Sequence, residues 1–122
     1  MSAPDSFPVP PPPTIPLTDD ARTAYRDLLK EMQDAIEGTT DVAILEALNA
    51  RQALVDGVLT KDSMYRLHAN AALFDALLKQ INDTNDELKK LQDQIESITA
   101  GFSAAGKVLA AINKVLTFIP GI

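Results

Sequence analysis

The chain contains no cysteine and no tryptophan, and aromatic residues make up only 5% of the sequence. The lack of cysteine excludes disulfides, thiolate catalysis and sulfur-ligated metal sites. Basic residues are also few, since 11 Lys and Arg stand against 17 Asp and Glu and give a net charge of −6. Nucleic acid is therefore not expected as a partner, because binding to its phosphates needs clustered basic side chains.

Charge is nearly absent after Glu96, where Lys107 and Lys114 are the only charged side chains. The first residues lack a basic region followed by an apolar run, so a conventional secretory signal is not expected. We expect synthesis in the cytoplasm, and the sequence leaves open both export by a route without such a signal and association with a membrane.

Residues 1–16 contain most of the eight prolines of the chain. Four prolines are consecutive at residues 10–13, so we predict an extended, polyproline-like arm and not a helix or the interior of a sheet. Within the arm, Phe7, Val9 and Ile15 are spaced as anchors for a groove on a neighbouring surface. A disordered tail is the alternative interpretation.

The remaining residues, 17–122, are predicted to form a single all-α domain, because apolar side chains recur every three or four positions. Thr18 before two aspartates indicates the start of a first helix over residues 18–37. Gly38 is expected to end this helix, since glycine is common just beyond a helix C-terminus.

Two further helices are predicted to follow. The second covers residues 40–56, and Gly57 is expected to break it before a new cap at Thr60. The third covers residues 60–119, either as one unbroken helix or with breaks near residues 82–85 and near Gly101.

One apolar pattern runs through the third predicted helix. Alternate steps of three and four residues from Leu67 reach Ile119, and only Asn70 and Thr84 are polar. A heptad that holds its phase over this length is typical of a coiled-coil-like helix. The predicted fold is therefore all-α: an elongated helical hairpin or bundle with a long heptad-patterned C-terminal helix and an extended proline-rich N-terminal arm.

The stretch GFSAAGK, residues 101–107, has the glycine and lysine spacing of a phosphate-binding loop. Val108 nevertheless stands where such a loop has the serine or threonine that holds magnesium. No strand pattern precedes the glycines, and the surrounding residues follow a helical pattern in which the backbone N–H groups are already bonded. Nucleotide binding is therefore not expected.

No catalytic, cofactor or metal site is predicted. His68 is the only histidine, and without a cysteine or a second histidine it cannot anchor a transition metal. Asp83, Asn85 and Glu87 resemble the start of a calcium loop, but Leu88 occupies the position that requires glycine. No serine has a general base at a predictable distance, so we do not expect an enzyme.

The charge-poor segment 98–119 is near the length of a membrane span. Its two lysines would each cost roughly 2.5–3.5 kcal/mol near the bilayer centre, so a lone transmembrane helix is not favoured. An unbroken helix over residues 61–118 would extend about 87 Å and leave an apolar seam exposed beyond the two shorter helices. The predicted assembly or membrane contacts are Leu88, Leu91, Ile95, Ile98, Phe102, Leu109, Ile112, Leu116 and Ile119.

These features predict a non-enzymatic structural subunit that self-assembles, or joins a larger complex, through its C-terminal helix, with the proline arm along a neighbour. One alternative is a membrane-active protein, a pore-forming or lysis component, that inserts or docks residues 98–119. Another is an adaptor or chaperone that binds a partner helix. A self-contained bundle of four or five short helices is the alternative architecture.

Overall fold

The structure, a computed structural model, describes residues 17–97 and 104–118. Within these residues it contains four α-helices and no strand. The all-α prediction is therefore confirmed for the described part of the chain, whereas the predicted arm of residues 1–16 lies outside it. The helices are α1 (Asp19–Gly38), α2 (Val42–His68), α3 (Ala71–Glu96) and α4 (Ala105–Leu116).

Three of the helices begin at a side-chain cap. The Thr18 hydroxyl accepts a hydrogen bond from the Ala21 N–H at 3.1 Å, at the cap that the sequence predicts. Asp41 and Asn70 cap α2 and α3 in the same way. In α4 the cap position is held by Ala104, which makes no such bond. The start of α4 therefore lacks a contribution that is typically about 1 kcal/mol.

The predicted end of the second helix near residue 56 and the new start at Thr60 are wrong. Helix α2 continues without interruption through Gly57 and Thr60 to His68. Gly57 is a close-packing position, because a Cβ atom there would lie 2.8 Å from Nε2 of Gln80 on α3. The glycine therefore lets the two helices approach each other and does not end α2.

The predicted unbroken helix over residues 60–119 is also wrong. The chain reverses between α2 and α3, where Ala69 has a left-handed backbone (φ 39°) and Asn70 caps the next helix. Leu67, the first position of the predicted heptad, is 79% exposed. Helices α2 and α3 therefore form an antiparallel pair, each about 40 Å long at 1.5 Å per residue.

Helix α3 is continuous through residues 82–85, where the sequence offers a break as an alternative. Two of the polar side chains there, Thr84 and Asn85, bond to other helices. The Thr84 hydroxyl donates to the Leu54 carbonyl oxygen at 3.3 Å, and Asn85 Oδ1 accepts from the Tyr25 hydroxyl at 2.8 Å. Gly101, the other candidate break, lies outside the described residues.

The four helices form a bundle in which α1 packs on α2, α2 on α3, α3 on α4 and α4 on α1. Leu28 and Met32 of α1, Leu48 of α2, Leu88 of α3 and Ile112 of α4 are each 0% exposed. The expectation that a single chain would expose its apolar side chains from Leu88 onward is therefore wrong for the described residues, because the helices of the chain cover one another.

The apolar pattern of α3 does not keep its phase into α4. Within α3, the predicted heptad positions from Leu77 to Ile95 are buried. In α4 the pattern predicts Leu109, Ile112 and Leu116 on the inner face. Ile112 is 0% exposed, but the other two side chains that are 0% exposed are Val108 and Val115. Leu109 and Leu116 are only half-buried, so one heptad frame does not describe both helices.

Candidate functional site

Helix α4 carries the described part of the charge-poor segment, and it packs on α1 and, less extensively, on α3. Its fully buried face consists of Val108, Ile112 and Val115. Complete burial of a side chain of this kind contributes roughly 1.5–3 kcal/mol. The docking of α4 therefore rests mainly on apolar burial.

Polar contacts between α4 and the other helices are few. Gln92 of α3 donates to Asn113 Oδ1, and within residues 17–97 and 104–118 this is the only side-chain hydrogen bond that joins α4 to another helix. Lys107 and Lys114 form no ion pair with any described residue. Among the four helices, α4 thus has the weakest polar attachment to its neighbours.

An ionic cluster with a buried carboxylate at its centre joins α1 to α2. Its centre is Asp62, which is 0% exposed although carboxylates are rarely buried. Arg66 Nε donates to Asp62 Oδ2 at 2.8 Å, and Arg22 Nε lies 3.2 Å from the same oxygen. Arg66 also donates to the Leu17 carbonyl oxygen at 2.7 Å and lies 3.6 Å from Asp19. The cluster therefore fixes the start of α1 against the end of α2.

The hydrogen bonding of this cluster is incomplete. Asp62 Oδ1 and Arg22 Nε have no hydrogen-bond partner of acceptable geometry among the described residues. The energetic cost of burying the Asp62 carboxylate is therefore offset mainly by the two positive charges beside it.

The sequence contains a weak signal for the cluster that sequence reasoning missed. Asp62 and Arg66 have the i,i+4 spacing of a helical ion pair. Lys79 and Asp83 have the same spacing, but their side chains are 77% and 57% exposed. Only the burial of Asp62, which is a tertiary property, distinguishes the two pairs.

Polar side chains also join α2 to α3. Gln80 Nε2 and the Thr84 hydroxyl both donate to the Leu54 carbonyl oxygen, at 3.0 and 3.3 Å. Arg51 pairs with Glu87 at 3.2 Å. Helices α1, α2 and α3 are therefore joined by ionic and hydrogen-bonded contacts in addition to their shared core.

Tyr25 extends this network from α1 to α3. The residue is 1% exposed, and its hydroxyl donates to Asn85 Oδ1 at 2.8 Å. Burial raises the pKa of the Tyr25 phenol far above its ordinary value. The phenol therefore stays protonated and serves as a hydrogen-bond donor inside the bundle.

The other chemically interesting side chains do not form a common site. His68 is exposed at the end of α2. Asp83, Asn85 and Glu87 lie on one continuous helix and bond to three different groups, on α3, α1 and α2. No group of three or more metal-ligating side chains comes together within the described ranges. Lys107 lies in the first turn of α4, after Gly106.

The structure brings together only part of the predicted contact set. Leu88, Leu91 and Ile95 are buried in the chain's own bundle, as is Ile112. Contact of these side chains with another molecule stays a prediction, and it would require the bundle to open. Ile98, Phe102 and Ile119 of the predicted seam, and Phe7, Val9 and Ile15 of the arm, lie outside the described residues.

Two surface grooves flank α1. The α1–α2 groove, of about 510 Å³, is lined by residues within 29–33 of α1 and 49–56 of α2. The α1–α4 groove, of about 390 Å³, is lined by residues within 27–31 of α1 and 107–114 of α4. The first carries three amide side chains, Gln33, Asn49 and Gln52, and two charged ones, Lys30 and Asp56, whereas most of the side chains that line the second are charged.

No protein-family model, curated protein or solved structure matches this chain. In the part of the chain that the structure describes, no helix is both long enough and apolar enough to cross a membrane. A function for the chain is therefore inferred from its own geometry.

Proposed function

We propose that this chain is a non-enzymatic assembly subunit in which α4 leaves the bundle and packs on a second copy of the chain. The observation that supports the proposal is the unequal attachment of the helices. Helices α1, α2 and α3 are joined by ionic and polar contacts, whereas α4 is held by an apolar face and one described side-chain hydrogen bond. An apolar face is non-directional, so it can exchange one complementary surface for another.

The energetic cost of such an exchange is small. Burial of Val108, Ile112 and Val115 contributes roughly 1.5–3 kcal/mol for each side chain, and the entropy lost when α4 is ordered offsets part of this sum. An α4 that docks on another copy buries the same side chains against the same surface. Swapping of an identical element is for this reason a low-cost route to dimers.

The side chains of α4 outside its fully buried face are also suited to contact with a second copy of the chain. Leu109 and Leu116 are half-buried beside the fully buried face, so α4 offers a wider apolar surface than the bundle covers. Lys107 and Lys114 lie on its exposed side, whereas the chain as a whole carries a net charge of −6. The positive charge of α4 is attracted to an acidic surface, and it therefore lessens the repulsion between two copies that each carry a net charge of −6.

A covalent link between α3 and α4 tests the proposal. The chain has no cysteine, so Gln92→Cys and Asn113→Cys, whose native side chains are hydrogen-bonded, can be joined by a short bis-maleimide. We expect the unlinked protein to form dimers or larger species as its concentration rises, and the linked protein to stay monomeric in sedimentation velocity. The matched controls are the two single-cysteine variants capped with a mono-maleimide.

Two outcomes contradict the proposal in different ways. Equal association of linked and unlinked protein would exclude the exchange of α4, because assembly would then use another surface. Monomers at every concentration in all samples would exclude self-assembly. A defined heteromer with another protein, without self-association, would instead favour the adaptor interpretation.

Docking on a membrane surface is the second candidate function. The described residues of α4 include two lysines and no acidic side chain, and the helix is apolar on its opposite face. A released helix of this kind binds surfaces that contain anionic lipid. Co-sedimentation with anionic and neutral vesicles tests this function: binding of the unlinked protein to anionic vesicles alone would favour it, and the absence of binding would exclude it.

A further inference from the structure

The start of α1, where residues 1–16 join the described part of the chain, is held against α2. The chain bends at Leu17, whose side chain is 2% exposed, and Thr18 then caps α1. The Leu17 carbonyl oxygen accepts a hydrogen bond from Arg66 of α2 at 2.7 Å. The first described residue therefore lies against α2.

The α1–α2 groove lies on this same side of α1, and its chemistry suits a proline-rich segment. Polyproline has carbonyl groups without internal hydrogen bonds, and it has no N–H donors of its own. Gln52 Nε2 donates to Gln33 Oε1 at 2.9 Å, which leaves each of these two amides a further N–H for a ligand. The exposed amide of Asn49 adds donors, and Leu29 and Ala53 add apolar surface.

The reach of the arm matches the position of the groove. The α1 side of the groove, residues 29–33, lies 12 to 16 residues beyond Leu17, which is about 18–24 Å at 1.5 Å per residue. A polyproline segment advances about 3.1 Å per residue, so it spans this distance in roughly six to eight residues. Counted back from Leu17, that length ends at residues 9–11, which include Val9 and the first two consecutive prolines.

We propose that residues 9–11 of this chain's own arm dock in the α1–α2 groove. The proposal is independent of the assembly function, because neither the arm nor this groove includes α4. The α1–α4 groove flanks the same part of α1, but most of its lining side chains are charged, whereas Lys30 and Asp56 are the charged side chains that line the α1–α2 groove. An uncharged proline segment would desolvate more charged groups in the α1–α4 groove without pairing them, so that groove is disfavoured.

Cross-linking of the full chain tests the docking of the arm. Cysteines are introduced as Val9→Cys and Ala53→Cys and treated with a short bis-maleimide. We expect a link within one chain at a rate independent of protein concentration. The matched control, Val9→Cys with Ala110→Cys, places the second thiol in the α1–α4 groove. It should react about tenfold more slowly, because docking raises the effective concentration of one thiol near the other.

A third variant separates docking from simple tethering. Replacement of residues 10–13 by Gly and Ser in the Val9→Cys, Ala53→Cys chain should lower the cross-linking rate to that of the control. Equal rates for the two cysteine pairs would overturn the proposal. So would a rate that this replacement does not change, or links that form only between chains.

Discussion

Substitution Arg66→Met is expected to lower the free energy of unfolding by about 3 kcal/mol, at the lower end of the range for breaking a buried ion pair. The variant removes the donor that lies 2.8 Å from the fully buried Asp62 carboxylate, and Arg22 alone is left beside it. It also removes the hydrogen bond to the Leu17 carbonyl oxygen. Urea denaturation followed by circular dichroism measures the loss.

An exposed ion pair of the same spacing provides the control for this prediction. Lys79→Met removes the cation of an i,i+4 pair whose side chains are 77% and 57% exposed, and we expect a loss below about 0.5 kcal/mol. Addition of Asp62→Asn to Arg66→Met should recover part of the stability, because it removes the uncompensated charge. Equal small losses for Arg66→Met and Lys79→Met would show that the cluster does not stabilise the fold.

Substitution Ile112→Asp is expected to release α4 while the other three helices stay folded. The position is 0% exposed, and an unpaired charge buried there costs several kcal/mol, which is comparable to the whole docking energy of α4. We predict a loss of helical circular dichroism limited to about the 12 residues of α4, followed by a separate cooperative transition of α1, α2 and α3 on heating.

The neighbouring residue supplies a matched control for Ile112→Asp. Asn113→Asp adds the same charge on the exposed side of α4, where the new carboxylate can still accept the hydrogen bond from Gln92. This variant should keep its helix content. Loss of all helical signal in Ile112→Asp, in a single transition, would show that α4 is an inseparable part of the bundle.

The parts of the fold that follow from local sequence were predictable. The cap at Thr18 and the end of α1 at Gly38 agree with the sequence prediction within one residue, because a cap depends on the few residues around it. The buried positions of α3 from Leu77 to Ile95 follow the predicted three- and four-residue steps. A periodic apolar face within one helix can therefore be read without knowledge of its neighbours.

Other features depend on contacts between helices, and sequence reasoning failed there. The cap of α3 at Asn70 is a local feature that sequence reasoning also missed, because Asn70 fits the heptad by spacing. Gly57 resembles the end of a helix, but the glycine instead makes room for the Gln80 side chain of α3, which lies too close for a Cβ atom. The burial of Asp62 has no sequence signature, since exposed acids have the same spacing to a basic residue.

The sequence predicted which segment forms the candidate site, but it did not predict where that segment packs in the fold. The sequence identifies the charge-poor C-terminal segment, but it favours a continuous helix with an exposed seam. The described residues instead place Leu88, Leu91 and Ile95 inside the bundle and rotate the buried face of α4 towards Val108 and Val115. Helical phase alone could not reveal that α4 folds back onto α1.

Residue-resolved hydrogen exchange of the unmodified chain, at a concentration where it is monomeric, tests most directly whether α4 opens separately from the other helices. We predict that the amides of α4, such as Ile112, exchange through an opening whose free energy is several kcal/mol below that of core amides such as Leu48 in α2. If both sets exchange with the same free energy and the same dependence on denaturant, α4 opens only when the whole chain unfolds, and that result would contradict the exchange of α4 between copies.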